Sequence, residues 1–249
     1  PSGSMKDTLL IGDFLFVNKM AYGYSYSSCP KVQIPQFGIN LDADDFCGFL
    51  KGRPDRIFGG TPERGDVVVF RHPVSGTDYI KRVIGLPGDK VQMKASRLFI
   101  NGVMTKLKMT EDFIEIYERQ GSQGNRPICS NGVVGLGGSC IKKRYIETLP
   151  NGVSYGILDT LDQDDLKLGG RLNLDSTKVY SVPKGHFFFM GDNRDNSSDS
   201  RVPQSSGGVG FVPMEDIVGR ADRILFSSAG QSMLAFWTWR SNRYFKAVN

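Results

Sequence analysis

The chain has 249 residues, 39% of them hydrophobic and 23% charged, and a formal net charge of +5. That is an ordinary globular composition, long enough for one large or two small domains with a real core; the mild positive charge suits anionic lipid or nucleic acid without establishing either. No apolar run approaches the roughly 18 residues of a membrane-crossing helix.

Thirty glycines and twelve prolines predict many turns and hence many short strands. In chain order, residues 2–10 form a tight turn feeding a strand at 9–21, where Phe14 and Phe16 alternate with polar positions. From 24 to 63 the pattern dissolves into Gly, Pro, Asp and Ser, a long surface excursion. Strands follow at 67–71 and 77–84, joined by the turn Pro73-Val74-Ser75-Gly76, and Leu86-Pro87-Gly88-Asp89 ends the second sharply. Residues 90–183 read as a β-rich insertion, with strands at 91–93, 97–100, 103–107, 113–117, 142–148, 153–158 and 178–182. Asn101-Gly102 supplies a hairpin turn within it. Residues 186–190 return to the core, and 213–217 form one helical turn. The expected fold is mostly β: an antiparallel core from residues 1–89 and 184–249, interrupted by the insertion 90–183 and closed by an aromatic, basic tail.

Three short stretches carry chemistry. Pro1-Ser2-Gly3-Ser4-Met5 offers a hydroxyl, Asp78-Tyr79-Ile80-Lys81-Arg82 an amine, and residues 191–201 (GDNRDNSSDSR) a rigid polar turn. A serine is a weak nucleophile at neutral pH and needs a base. Only His72 and His186 could fill the usual role, but a lysine serves if burial lowers its pKa. Lys81 has that setting, with Val83, Ile84 and Leu86 just after it. With Arg64-Gly65-Asp66-Val67-Val68-Val69-Phe70 as a fourth box, these stretches resemble the bacterial type I signal peptidases, Ser/Lys proteases of the cytoplasmic membrane.

The resemblance implies a nucleophile at Ser4 and a general base at Lys81, acting through an acyl-enzyme. It places Ser2 and the backbone N–H of Ser4 in the oxyanion hole, and Ser197 as the hydrogen-bond partner of Lys81. Asn196 then fixes the loop through its amide, Asp199 and Arg201 form a structural salt bridge, and Arg82 and Asp192 give support. Met5, Leu9, Tyr79 and Ile80 match positions lining the family's small pockets, although ordinary core packing explains them equally well. The implied substrates are preprotein signal peptides ending in an Ala-x-Ala-like motif, cut on the periplasmic side of the inner membrane, and an anchor is expected ahead of Pro1. Two departures stand out: Asp7 replaces a common proline, and residues 202–209 are longer than the usual link.

The four cysteines contain no Cys-x-x-Cys pair and no histidine close in sequence, which argues against a zinc site, and neither metal nor cofactor is expected. Cys129 and Cys140 enclose a Gly-rich loop, as Cys29 and Cys47 bracket another. Local disulfides in an oxidising compartment compete here with free buried thiols. Residues 233–246 mix Phe236, Trp237, Trp239, Tyr244 and Phe245 with Arg240, Arg243 and Lys246, which fits an anionic lipid surface or a final core strand. Two other functions compete: a self-cleaving Ser/Lys repressor, which lacks a helix-turn-helix here, and a non-enzymatic β module binding membranes through that tail. Nucleic acid is not an expected partner.

Overall fold

The structure is a computed structural model describing residues 3–29, 32–34, 39–51, 56, 59–120, 124–159, 174–229 and 236–248. The strands are β1 (Asp13–Asn18), β2 (Val32–Ile34), β3 (Ile39–Leu41), β4 (Val67–Arg71), β5 (Asp78–Gly85), β6 (Lys90–Lys94), β7 (Arg97–Ile100), β8 (Val103–Met104), β9 (Lys106–Met109), β10 (Phe113–Ile116), β11 (Ser139–Lys142), β12 (Arg144–Thr148), β13 (Ser154–Leu158), β14 (Tyr180–Ser181), β15 (His186–Met190), β16 (Val212–Pro213) and β17 (Ile217–Ser227). The described residues are mostly β, as the turn-rich composition predicts.

A six-stranded antiparallel sheet, in the order β1-β17-β4-β5-β15-β16, joins strands from both ends of the sequence. The strands between them build smaller sheets: β14-β6-β7-β8, β13-β12-β9 and β10-β11. One apolar cluster, including Ile84, Leu98, Ile157 and Phe188, spans the large sheet and the smaller ones. A second, with Val68, Phe70, Val83 and Phe189, packs on the large sheet. A third gathers Met5, Leu9, Val67, Ala221 and Ile224 under the N-terminal turn.

Several expected strands are shorter or divided, each for a local reason. β1 begins only at Asp13, whose carboxylate accepts from the Leu10 N–H (2.7 Å), and Gly12 turns at φ 95° against the Ser228 carbonyl. It ends at Asn18, whose side chain caps a 3₁₀ turn over Lys19–Tyr22. The expected strand at 142–148 divides at Lys143, where the chain leaves β10 as partner for β9 and β13. The one at 103–107 divides at Thr105, whose hydroxyl turns in to Glu147 (2.9 Å). The hairpin turn has both Asn101 (φ 52°) and Gly102 (φ 81°) left-handed, as a two-residue hairpin requires.

The excursion after residue 24 holds a β2–β3 ribbon, the helix α1 (Ala43–Cys47) with an Asp42/Asp45 capping box, and a Cys29–Cys47 disulfide. Arg56 anchors it. Its guanidinium donates to the carbonyls of Tyr22, Gly23, Met214 and Ile217 and to the Ser28 hydroxyl, over 2.7–3.0 Å. A second disulfide joins Cys129 to Cys140 with their Cα atoms 5.2 Å apart, so none of the four cysteines is free.

Candidate active site

Ser4 lies in a single 3₁₀ turn, Gly3–Met5, and Lys81 near the middle of β5, opposite Val68 of β4. The fold closes the 76 intervening residues so that the Lys81 ammonium nitrogen donates to the Ser4 hydroxyl. Both side chains are buried, at 6% and 3% exposure. Burial lowers the Lys81 pKa to about 8, with Asp199 and Asp192 opposing the shift and Arg201 adding to it. Among the described residues neither carboxylate forms a salt bridge with the amine. Asp192 is held by two 2.8 Å bonds from Arg82, and Asp199 by two 2.9 Å bonds from Arg201. The lysine therefore feels negative potential without a contact that would fix its charge.

The loop 191–201 holds the serine turn. The Asn193 N–H donates to the Ser4 carbonyl and its side-chain amide to the Gly3 carbonyl, both at 2.9 Å. A Cβ at Gly191 would lie 2.3 Å from the Ser197 hydroxyl and 2.6 Å from the Ser4 carbonyl, so only glycine permits this approach. Arg82 fixes the other side. Its guanidinium also donates to the Gly65 carbonyl (2.7 Å) and stacks 4.0 Å over the Tyr155 ring. This places the Arg64-Gly65-Asp66 turn in the same framework. A serine hydroxyl paired with a buried, partly neutral amine is the minimal apparatus for nucleophilic attack and proton transfer.

The model of the family described as "Signal peptidase, peptidase S26" matches residues 1–226. The chain belongs to this family. It is a serine peptidase of the signal peptidase I class. Among similar proteins, signal peptidase I of Rickettsia typhi is 38% identical over 92% of this chain and 70% of its own. That of Rickettsia bellii is 37% identical over 92% of this chain and 64% of its own. This chain thus spans about two thirds of the length of those peptidases. A crystal structure of a signal peptidase I from Enterococcus faecalis aligns with 65% of this chain and 97% of that one, at 23% identity and a TM-score of 0.32.

Not every residue expected at the signal peptidase site takes its expected place. Ser2 lies outside the described residues. Ser197 is buried beside Gly191, but among the described residues its hydroxyl has no hydrogen-bond partner, and the lysine amine is directed at Ser4 instead. Asn196 sits beside Gly3, yet Asn193 is the residue that fixes the loop by its amide. The Asp199–Arg201 pair is present, and Asp199 Oδ2 also accepts from the Gly191 N–H (3.1 Å). Met5 and Leu9 have no exposed surface and pack with Ile80, while Tyr79 belongs to a separate cluster beside Phe70 and His72. As placed, Met5 and Leu9 form core rather than an open pocket wall.

His72 serves the fold. His72 Nδ1 accepts from the Val74 and Ser75 N–H groups (3.2 and 3.1 Å), which makes Nε2 the protonated nitrogen, donating to the Gly208 carbonyl at 3.0 Å. That bond ties the long 202–209 loop to the end of β4. Asp7 adopts φ 89°, which proline with its fixed φ near −65° cannot reach, so this turn is built differently from a proline-bearing one. Its carboxylate instead meets Arg144 of β12 at 2.6 Å. Neighbouring Lys6 is buried and donates to Glu115 and Gln120, and Glu115 also meets Lys142 (2.9 Å). The residues after the serine are therefore bolted to the insertion strands by charge pairs that sequence reading missed. No pattern of spacing announces a contact between positions 6 and 115.

Proposed function

We propose that this chain removes signal peptides from exported preproteins by cutting after an Ala-x-Ala-like motif, with Ser4 as nucleophile and Lys81 as general base. The observation that carries the reading is the buried hydrogen bond from the Lys81 amine to the Ser4 hydroxyl, together with the lowered pKa of that lysine. The neutral amine takes the Ser4 proton as the oxygen bonds to the scissile carbonyl carbon. The ammonium so formed gives that proton to the leaving amine as the C–N bond breaks. A water, deprotonated by the same amine, then hydrolyses the ester and restores the serine. At a pKa of about 8, about a tenth of the enzyme holds a neutral lysine at pH 7. The oxyanion would receive the Ser4 N–H and the Ser2 hydroxyl, each such donor contributing about 10²–10³ in rate.

The same reading places the chain at the outer face of a bacterial inner membrane. Support comes from its two disulfides, which suit an oxidising compartment, and from an exposed aromatic face described below. No helix among the described residues is long and apolar enough to cross a membrane.

The test is cleavage of a synthetic preprotein segment ending its signal in Ala-x-Ala, in detergent, read by mass spectrometry beside a Ser4→Ala control. A single cut after the second alanine, absent from the control, is expected. Cleavage that survives in Ser4→Ala or Lys81→Ala would overturn the assignment of roles. A folded, inactive wild type would instead favour a membrane-binding module.

A further inference from the structure

We propose that Asp159, Asp175 and Asp195 form a binding site for a divalent, oxygen-seeking cation of the calcium kind, which braces the loop holding Ser4. The three carboxylates each present an oxygen, and these oxygens lie within 4.8 Å of one another. Asp159 supplies the decisive observation. It is only 1% exposed, and among the described residues neither of its carboxylate oxygens has a hydrogen-bond partner. A buried carboxylate without partners is strongly disfavoured, and a native fold supplies a donor, a proton or a cation. The guanidiniums that act on Asp159 through charge, Arg194 and Arg201, pair with Glu147 and Asp199, and although Arg194 Nη1 is left without a partner among the described residues it makes no hydrogen bond to Asp159. In the absence of a ligand, burial pushes the Asp159 carboxyl up to about 8.

The donor chemistry selects the cation. All three ligands are hard oxygens, with no sulfur or imidazole, which favours calcium or magnesium over zinc or copper. Asp175 and Asp195 are half-buried, leaving room for water beside the buried Asp159. Calcium tolerates such an irregular set, whereas magnesium demands near-ideal octahedral geometry. The spacing of Cys and His that argues against zinc does not bear on an all-carboxylate site.

The location gives the site a consequence. Asp159 follows the last residue of β13, whose Leu158 N–H donates to the Asp192 carbonyl (2.8 Å). Asp195 lies in the 3₁₀ turn Arg194–Asn196, two residues beyond the Asn193 that holds Gly3 and Ser4. A cation here joins the end of β13 and residue 175 to the loop that positions the serine turn. The inference does not depend on the peptidase reading, because binding is measured without substrate.

The experiment is thermal melting of the full chain after treatment with EDTA, titrated with calcium chloride alone and, in parallel, magnesium chloride. Calcium is expected to raise the melting temperature saturably, by about 5–10 °C at a hundred times its dissociation constant. Asp159→Asn should abolish the shift and melt close to the wild type in EDTA, since the amide keeps the shape and polarity of the carboxyl without offering a ligating charge. Asp175→Asn, at a half-buried position, should also lose most of the shift and serves if the first variant does not fold. No saturable shift in the wild type up to about 10 mM calcium, above the range of weak extracellular sites, would overturn the proposal. So would a shift that persists in both variants, since calcium would then bind elsewhere.

Discussion

Burial holds Lys81 near pH 8, and that one number has opposite consequences for activity and for stability. Activity needs the neutral amine, so kcat/KM is expected to fall about tenfold per pH unit below about 8, measured on a peptide whose own groups do not titrate there. Stability follows the proton count. The unfolded lysine titrates near 10.5 and the folded one near 8, so between these values the unfolded chain binds the extra proton and stability rises with pH. Below pH 8 the full desolvation cost applies. Lys81→Met should therefore abolish cleavage while stabilising the fold at pH 7 by as much as about 3 kcal/mol, with the advantage fading above pH 8. Urea melts at pH 7 and 9.5 check both signs. Gly191 sets a second limit on the site. Gly191→Ala drives a methyl against the Ser4 carbonyl and the Ser197 hydroxyl, and a displacement of about 1 Å costs on the order of 10² in kcat/KM. Ser4 and Lys81 were legible in the sequence because each sits in a short box whose chemistry is specific. The unpaired Ser197 and the clamp from Asn193 were not, because residues three or four apart in a polar loop offer no rule for which side chain points inward.

Among the elements, sequence reading missed β2, β3, α1, β16 and most of β11, and above all β17, the longest strand among the described residues, which pairs with both β1 and β4. Its alternation is broken by register shifts near Phe14, Phe16 and Ile217, so Arg220, Asp222 and Arg223 interrupt any period of two. Gly219 reads as a strand breaker, yet a Cβ there would come within 2.7 Å of the Asn18 carbonyl. Its absence is what lets the chain at the end of β1 approach β17. The contacts between insertion and core were equally hidden. Glu147 of β12 and Arg194 are both buried, and the Glu147 carboxylate also accepts from Tyr155 (2.6 Å) and Thr105. Glu147→Ala would leave a guanidinium buried without its counter-charge, at a cost of about 3–5 kcal/mol. Glu147→Gln retains a hydrogen-bond acceptor and should lose less. A shift in urea midpoint at constant m is the signature. Because Arg194 adjoins Asn193, the Ala variant should also lose activity at temperatures where it remains folded.

On the scale of the whole molecule, one group of exposed aromatics lies along the β1–β17 edge of the large sheet and the tail beside it. Phe14 stacks on Phe226 (4.4 Å) and Phe226 on Trp239 (4.3 Å), while Phe16, Phe236, Trp237 and Phe245 project into solvent. The tail had two readings in the sequence, lipid surface or core strand. The described residues give short 3₁₀ turns and isolated bridges to residues 223 and 228 there, with the aromatic side chains on the outside. Arginines link this face to the serine turn. Arg240 donates to the Ile11 carbonyl (3.1 Å), and Arg243 to the Thr8 carbonyl (3.0 Å) and the Asp13 carboxylate. A membrane that seats the aromatic face thus also sets the height of Ser4 above the lipid, where a signal peptide would emerge. The face should accordingly bind vesicles containing anionic lipid, helped by the net charge of +5 and weakened by salt. Replacing both Phe16 and Trp237 by Glu removes two exposed rings from that surface without opening the core. Each ring contributes on the order of 1 kcal/mol or more on entering an interface, so the double variant should partition into vesicles at least about tenfold less. Cleavage of a short soluble peptide in detergent should stay within a few-fold of wild type, while cleavage of a vesicle-inserted preprotein falls with the loss of binding. Equal partitioning of variant and wild type would show that another surface meets the membrane.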